Sequence, residues 1–418
     1  MNIPLKWLKE YVDIPEKTRD FTDKMSMIEH MLDKIIETET DTVVDLELRG
    51  NRADCYGILG IAREAHAAYG GRFDIPQVID MPEHDYQGFE VLVRSDTVKR
   101  FYSTVIRGVK IGPSPEWMQE RLKNYGMEAI NNVVDITNYV MIESGMPMHA
   151  FDLKSMRGNQ LVLRPAREGE KVITFDGGEL KLVPADTVFA TESGEAIGLA
   201  GIVGDRSSGI NDSTTDILLE CANYDRSAVR KTVMRHNAWT EAGTRHSHEI
   251  SSSLCDYALA RAASLLLEYG NADPNVTPRI EGIHDYYPHP ETPIRIEFRP
   301  GEVKRLGGVV IDTDTQKSIL QRLEYKVEVL AEDKLAVTPP LLRTDVTLEA
   351  DVVEDVMRIF GYENIPSTTL SSTIPDPIVL PELVIEERSR DIFTALGLDE
   401  VVLVPMSNPE SLARTNDP

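Results

Sequence analysis

Cysteine is scarce in this chain: Cys55, Cys221 and Cys255 are the three in 418 residues. They are too few and too scattered for a disulfide framework or a CxxC zinc site, which fits a reducing cytoplasm. Long apolar runs are missing as well, since no stretch reaches the roughly 18 residues a membrane-spanning helix needs. The first residues, MNIPLKWLKEYVDIPEK, are charged and broken by prolines, which excludes a secretory signal or an arginine-rich transit sequence. The composition therefore predicts a soluble protein with no membrane partner. Positive charge is in short supply: 44 Lys and Arg stand against 69 Asp and Glu, a formal charge of -25. That balance opposes unaided binding to a polyanion, so nucleic acid would have to meet a local basic patch or a partner subunit. Internal repeats and low-complexity tracts are absent too.

The chain is long enough for several packed cores, and its turn signals divide it. Residues 1–80 form a small α/β domain ending at GGRFDIP. Residues 93–283 mix strand-like runs (VLVRS, STVIRGVKI, LVLRPA, TVFATES, DILLEC) with helices at 115–126 and 251–269, predicting a large α+β domain. HDYYPHPETP, 284–293, reads as a linker. Residues 293–366 predict a winged-helix-like module: strands IRIEF and GVVI, a helix after Asp312, the hairpin KVEVL and KLAVT, and an acidic helix. A second linker, 365–381, precedes 384–418, a helix and the apolar strand GLDEVVLVPMS. The expected fold class is α+β multidomain.

The acidic helix carries candidate chemistry. In RTDVTLEADVVEDVMRIFGY, 343–362, Thr347 can cap a helix that stops at Gly361. Val352, Val356, Ile359 and Phe360 share its buried face, leaving Asp351, Glu354, Asp355 and Arg358 on the other. Spacing allows two readings: a solvated acidic face with Glu354 paired to Arg358, or oxygen ligands, Asp345 included, for a hard cation such as Mg²⁺.

The stretch resembles the magnesium-site segment of bacterial phenylalanine tRNA ligase beta subunits: Arg-x-Asp, then Asp-x-x-Glu-acidic, then a Tyr-Gly-Tyr-like ending, which stand here as RTD, DVVED and RIFGYENIP. The resemblance implies that Asp345, Asp351, Glu354 and Asp355 are Mg²⁺ ligands. It extends over nearly the whole chain, up to about residue 407. WLKEYV at 7–12 and NRADCYGILGIARE at 51–64 are similar to the family's N-terminal domain, although the oligonucleotide-binding barrel inserted between such motifs is missing here. VVDITNYVMIESGMPMHAFD at 133–152, LAGIVGDRSSGIND at 199–212 and LLECANY at 218–224 are similar to its editing domain. Residues 384–418 resemble the start of its catalytic-like domain.

The resemblance further implies a hydrolytic pocket that removes tyrosine wrongly attached to tRNA(Phe). An apolar pocket cannot strongly reject an isostere that adds one hydroxyl, so a second site with a polar group for that hydroxyl is needed. By resemblance that group is Glu220. His149 would orient water or the terminal adenosine, Gly204 would allow close backbone approach, and Thr240 and Ala242 would line the amino-acid pocket. Two departures stand out: Glu128 replaces a family arginine, and RHSHEISSS at 245–253 replaces a run that begins Arg-aromatic-Glu. The pair His246 and His248 reads as a polar loop rather than a metal site, since no third ligand is near in sequence.

The implied function is a beta subunit that works with an alpha subunit and tRNA(Phe), the alpha subunit binding ATP and phenylalanine. A free-standing editing deacylase and a non-catalytic RNA-binding or assembly subunit are the alternatives.

Overall fold

The computed structural model describes residues 1–415 apart from 157, 176, 272–276, 370–371 and 374–377. It is a mixed α+β structure with several small sheets, in two compact units, Met1–Pro366 and Ser367–Pro418. Among the described residues no helix is long and apolar enough to cross a membrane.

In the first domain, strand Thr42–Glu47 lies between Asn2–Pro4 and Met31–Glu37, both antiparallel to it. The NRADCYGILGIARE motif supplies helix Ile58–Tyr69, capped by Gly57. Its glycines are packing residues: a Cβ on Gly57 would collide with the Gly145 backbone, and one on Gly60 with the Asp54 carbonyl. The motif thereby locks the first domain against the turn after helix Asn132–Ser144.

The second domain contains two sheets. One is antiparallel, in the order Arg279–Tyr286, Val98–Arg107, Asp216–Tyr224, Met148–Asp152. The other runs Val203–Gly204, Ala196–Leu199, Thr187–Thr191, Gln160–Pro165, Glu90–Val93, its last pair parallel. Phe151 of the first sheet meets Phe189 of the second edge to face, 5.1 Å between centroids. The five strand-like runs named between residues 91 and 221 each contribute to a strand, and helices Glu116–Tyr125 and Leu254–Tyr269 fall where their start and stop signals place them. The expected linker 284–293 differs. Its first three residues complete strand Arg279–Tyr286, and Tyr287 and Glu291 bond to Ser252, so the segment is tied down rather than free.

The third module has strands in the order Ile296–Phe298, Lys334–Thr338, Lys326–Ala331, with helices Gly301–Gly307, Thr313–Arg322 and Glu349–Phe360. Asp312 caps its helix by accepting from the Thr315 amide at 2.8 Å. GVVI, expected as a strand, is a connection between two helices. The acidic helix begins one residue later than Thr347 would place it. Asp351 reaches back to accept from the Thr347 and Leu348 amides, both at 2.8 Å, which satisfies two donors that Thr347 could not.

In the second unit, helix Pro381–Ala395 forms as expected, but the VVLV run does not become a strand; among the described residues of this unit there is no strand for it to pair with, and Val402 is 98% exposed.

Candidate active site

Two strands place the central pair. Asp216–Tyr224 and Met148–Asp152 run antiparallel with Glu220 directly opposite His149, so both side chains leave the same face of the sheet. They project into a cavity of about 70 Å³ whose apolar wall includes Phe189, Leu199 and Ile202. Glu220 Oε2 and His149 Nε2 are shielded from solvent and have no hydrogen-bond partner. Unsatisfied buried polar atoms are uncommon, and two facing one cavity mark a place for a polar ligand or water. Burial pushes the Glu220 carboxyl up to about 8 and the His149 imidazole down to about 4. Near neutral pH the pair is therefore a protonated acid that donates and a neutral ring that can accept.

The loop between strands Ala196–Leu199 and Val203–Gly204 closes this cavity. Gly204 pairs with Gly198 across the hairpin, and a Cβ on it would stand 2.9 Å from His149 Cε1. Gly201 has φ +73, and a Cβ there would lie 2.7 Å from the Tyr224 ring. Both positions keep backbone against side chains that a larger residue would displace.

Thr240 and Ala242 divide their roles. Thr240 accepts from the Gly243 amide at 2.9 Å, capping helix Glu241–His246, and donates to the Ile202 carbonyl at 2.8 Å. Its hydroxyl thus holds the loop to the helix and does not line the cavity, whereas Ala242 does. His246, one helical turn beyond Ala242, also lines it. The sequence put His246 in a polar loop; it instead ends helix Glu241–His246 and is buried, and the i, i+4 spacing from Ala242 was the available signal. His248 points elsewhere, its Nε2 2.9 Å from the Tyr56 hydroxyl, so the two histidines share no site.

The four carboxylates of the acidic segment do not converge as a set. Arg343 bonds both oxygens of Asp345, at 2.9 and 3.0 Å, and both oxygens of Asp355, at 2.8 and 3.2 Å. Asp355 is only 1% exposed and also takes bonds from Tyr325 and Arg358. Those two arginines hold its carboxyl well below the ordinary range against the opposing effect of burial. Arg358, expected on the wet face and paired with Glu354, is instead buried between Asp355 and Glu64. Asp351 caps the helix. Glu354 is exposed, and its carboxyl is raised by partial burial and by nearby Glu29, Asp355 and Asp351.

His30, Cys55 and Glu64 form the one group of three ligand-type side chains that converges among the described residues, their donor atoms within 4.8 Å. A guanidinium already fills the cationic place there: Arg52 Nη2 lies 3.3 Å from Cys55 Sγ and bonds Glu64. A separate cleft of about 700 Å³ contains none of the expected editing-pocket residues, although Asp345 lines it; of its cations, Lys99 and Arg226 pair with Glu249, and Arg343 with Asp345 and Asp355.

Residues 97–271 match the family model of the B3/4 domain, and residues 296–362 that of the tRNA synthetase B5 domain. The chain is similar to the phenylalanine–tRNA ligase beta subunit of Moorella thermoacetica, 37% identical over 89% of this chain and 46% of that protein. It is also similar to the Rhodopirellula baltica beta subunit, 34% identical over 96% of this chain and 58% of that one. The chain thus spans about half the length of the curated relatives it matches. Among solved structures, an N-terminal fragment of the phenylalanyl-tRNA synthetase beta subunit from Pyrococcus horikoshii shares the fold. The TM-score is 0.50 at 14% identity, covering 87% of this chain and 99% of that one.

Proposed function

Since the chain is a homologue of bacterial phenylalanine–tRNA ligase beta subunits with their B3/4 and B5 domains, we propose that it supports phenylalanine attachment and clears mischarged tRNA. In this reading it works in the cytoplasm with an alpha subunit that binds ATP and phenylalanine, and with tRNA(Phe). Its own chemistry is hydrolysis of tyrosyl-tRNA(Phe).

The observation that carries the reading is the unpartnered Glu220 carboxyl opposite His149 in a small cavity. A tyrosyl hydroxyl satisfies Glu220; a phenylalanyl ring leaves it buried and unpaired, a difference of about 1–3 kcal/mol. Neutral His149 accepts a hydrogen bond from a water and orients it toward the ester. Attack on the carbonyl carbon breaks its bond to the ribose oxygen, which leaves with a proton, releasing tyrosine. Thr240 serves as a positioning residue through Ile202, and Gly204 gives the room in which His149 sits.

Magnesium belongs to the same proposal at one place. Glu354 stands near Glu29, Asp355 and Asp351, which together with partial burial raise its pKa, so Glu354 with Asp351 would hold a hydrated Mg²⁺. The ion would supply charge neutralisation at this edge. Asp345 and Asp355, saturated by Arg343, would contribute to its field rather than coordinate.

The test is hydrolysis of tyrosyl-tRNA(Phe) and phenylalanyl-tRNA(Phe) by the purified chain, with Glu220→Ala as control. Selective tyrosyl release that disappears in the variant supports the editing site. A folded chain that releases neither supports the non-catalytic reading, which the small cavity volume favours.

A further inference from the structure

Resting on that editing reading, we propose that His246 is a second specificity-determining contact, accepting a hydrogen bond from the same substrate hydroxyl that Glu220 recognises. His246 closes helix Glu241–His246 and lies in the wall of the Glu220 cavity together with Ala242. Its ring is 3% exposed and stands edge-on to Tyr224, 5.0 Å between centroids at 90°. Gly201 makes the opposite wall close: a Cβ there would lie 3.2 Å from His246 Cδ2. Among the described residues no group hydrogen-bonds the ring nitrogens, whereas neighbouring Arg245 is fully engaged outside the cavity by Tyr56, Glu241 and Tyr125.

The chemistry of the two walls is complementary. Burial and the Arg245 charge push the His246 imidazole down to about 3, so one ring nitrogen keeps a lone pair at neutral pH. Glu220, protonated, is a donor. A phenolic hydroxyl is donor and acceptor at once, so it can accept from Glu220 while donating to His246. A phenyl ring answers neither, leaving Glu220 Oε2 buried without a partner and the His246 nitrogen without the bond a hydroxyl would give it. Discrimination then rests on two unmet hydrogen bonds rather than one, which widens the gap between substrates.

Binding separates this from the hydrolysis itself. The probes are 3′-deoxy-3′-aminoadenosine carrying tyrosine or phenylalanine through a stable amide, titrated into the full chain by calorimetry. The expected result is a tyrosyl preference in the wild type that falls about fivefold to tenfold in His246→Phe. His246→Gln, which keeps an acceptor, should retain most of the preference; circular dichroism checks that both variants are folded. An undiminished preference in His246→Phe, with the preference lost in Glu220→Ala, overturns the His246 contact and leaves the editing reading standing. A wild type without preference, insensitive to Glu220→Ala, overturns both.

Discussion

A single buried carboxyl sets much of this protein's expected response to pH. Glu220 holds its proton up to about pH 8 in the folded chain, whereas an unfolded glutamate loses it near its ordinary value of 4.5. The folded state therefore binds more protons between those values, and stability falls as pH rises through that window. Glu220→Gln should remove this slope, so its melting temperature gains on the wild type from pH 5 to pH 8 in parallel thermal scans. His149 acts on the acid side: its folded pKa of about 4 lies below the ordinary 6.5, so its contribution is lost as pH falls from 6.5 to 4. Gly204→Ala tests geometry alone. Its methyl would press on His149 from 2.9 Å, at a cost of about 1–3 kcal/mol for overpacking. Tyrosyl release should drop at least about tenfold, since small misplacements of a positioned group carry large kinetic penalties. Loss of stability with release unchanged would show that His149 tolerates displacement. The sequence offered Glu220 and His149 as residues; their opposition across one strand pair came from register, which no local motif encodes.

At the scale of the element, the acidic helix Glu349–Phe360 is a connector through charge. Arg358 reaches Glu64 on the first domain's helix, Glu64 also bonds Arg52, and Asp355 binds Arg343. Removing one member of a buried pair leaves an uncompensated charge and costs about 3–5 kcal/mol. Arg358→Met should therefore cost that much in urea unfolding, and the double variant with Glu64→Gln should recover a good part of it. Additive losses would show that the pair is not coupled. Glu64 and Asp355 both have lowered carboxyl pKa values. Their contribution is present above the unfolded carboxylate range and lost as pH falls below it, so acid unfolding should begin at this junction. Helical periodicity correctly gave Val352, Val356 and Ile359 as buried, and it misassigned Asp355 and Arg358. A period of 3.6 ranks faces by hydrophobicity, so an oppositely charged pair buried against another domain's charges is invisible to it.

Across the whole molecule, the charge of -25 is a repulsive background on which the ion pairs sit. Salt screens that background over about 8 Å at 0.15 M, while it reaches buried pairs far less. The melting temperature should consequently rise when salt is added to a dilute buffer, and a fall would show that exposed pairs dominate. Composition, the helix stops at Gly126 and Gly361 and the cap at Asp312 were legible in the sequence alone, because each depends on residues a few positions apart. So were the long motifs of the second domain, whose residue order is specific enough to carry a family resemblance. Tertiary structure decided the rest. It turned Thr240 into a brace for Ile202, brought His246 to the cavity, occupied Asp345 and Asp355 with Arg343, and left VVLV unpaired. Each of these outcomes depends on which distant group arrives within about 3 Å, the range at which a hydrogen bond forms, and that is a property of the packed chain rather than of any segment.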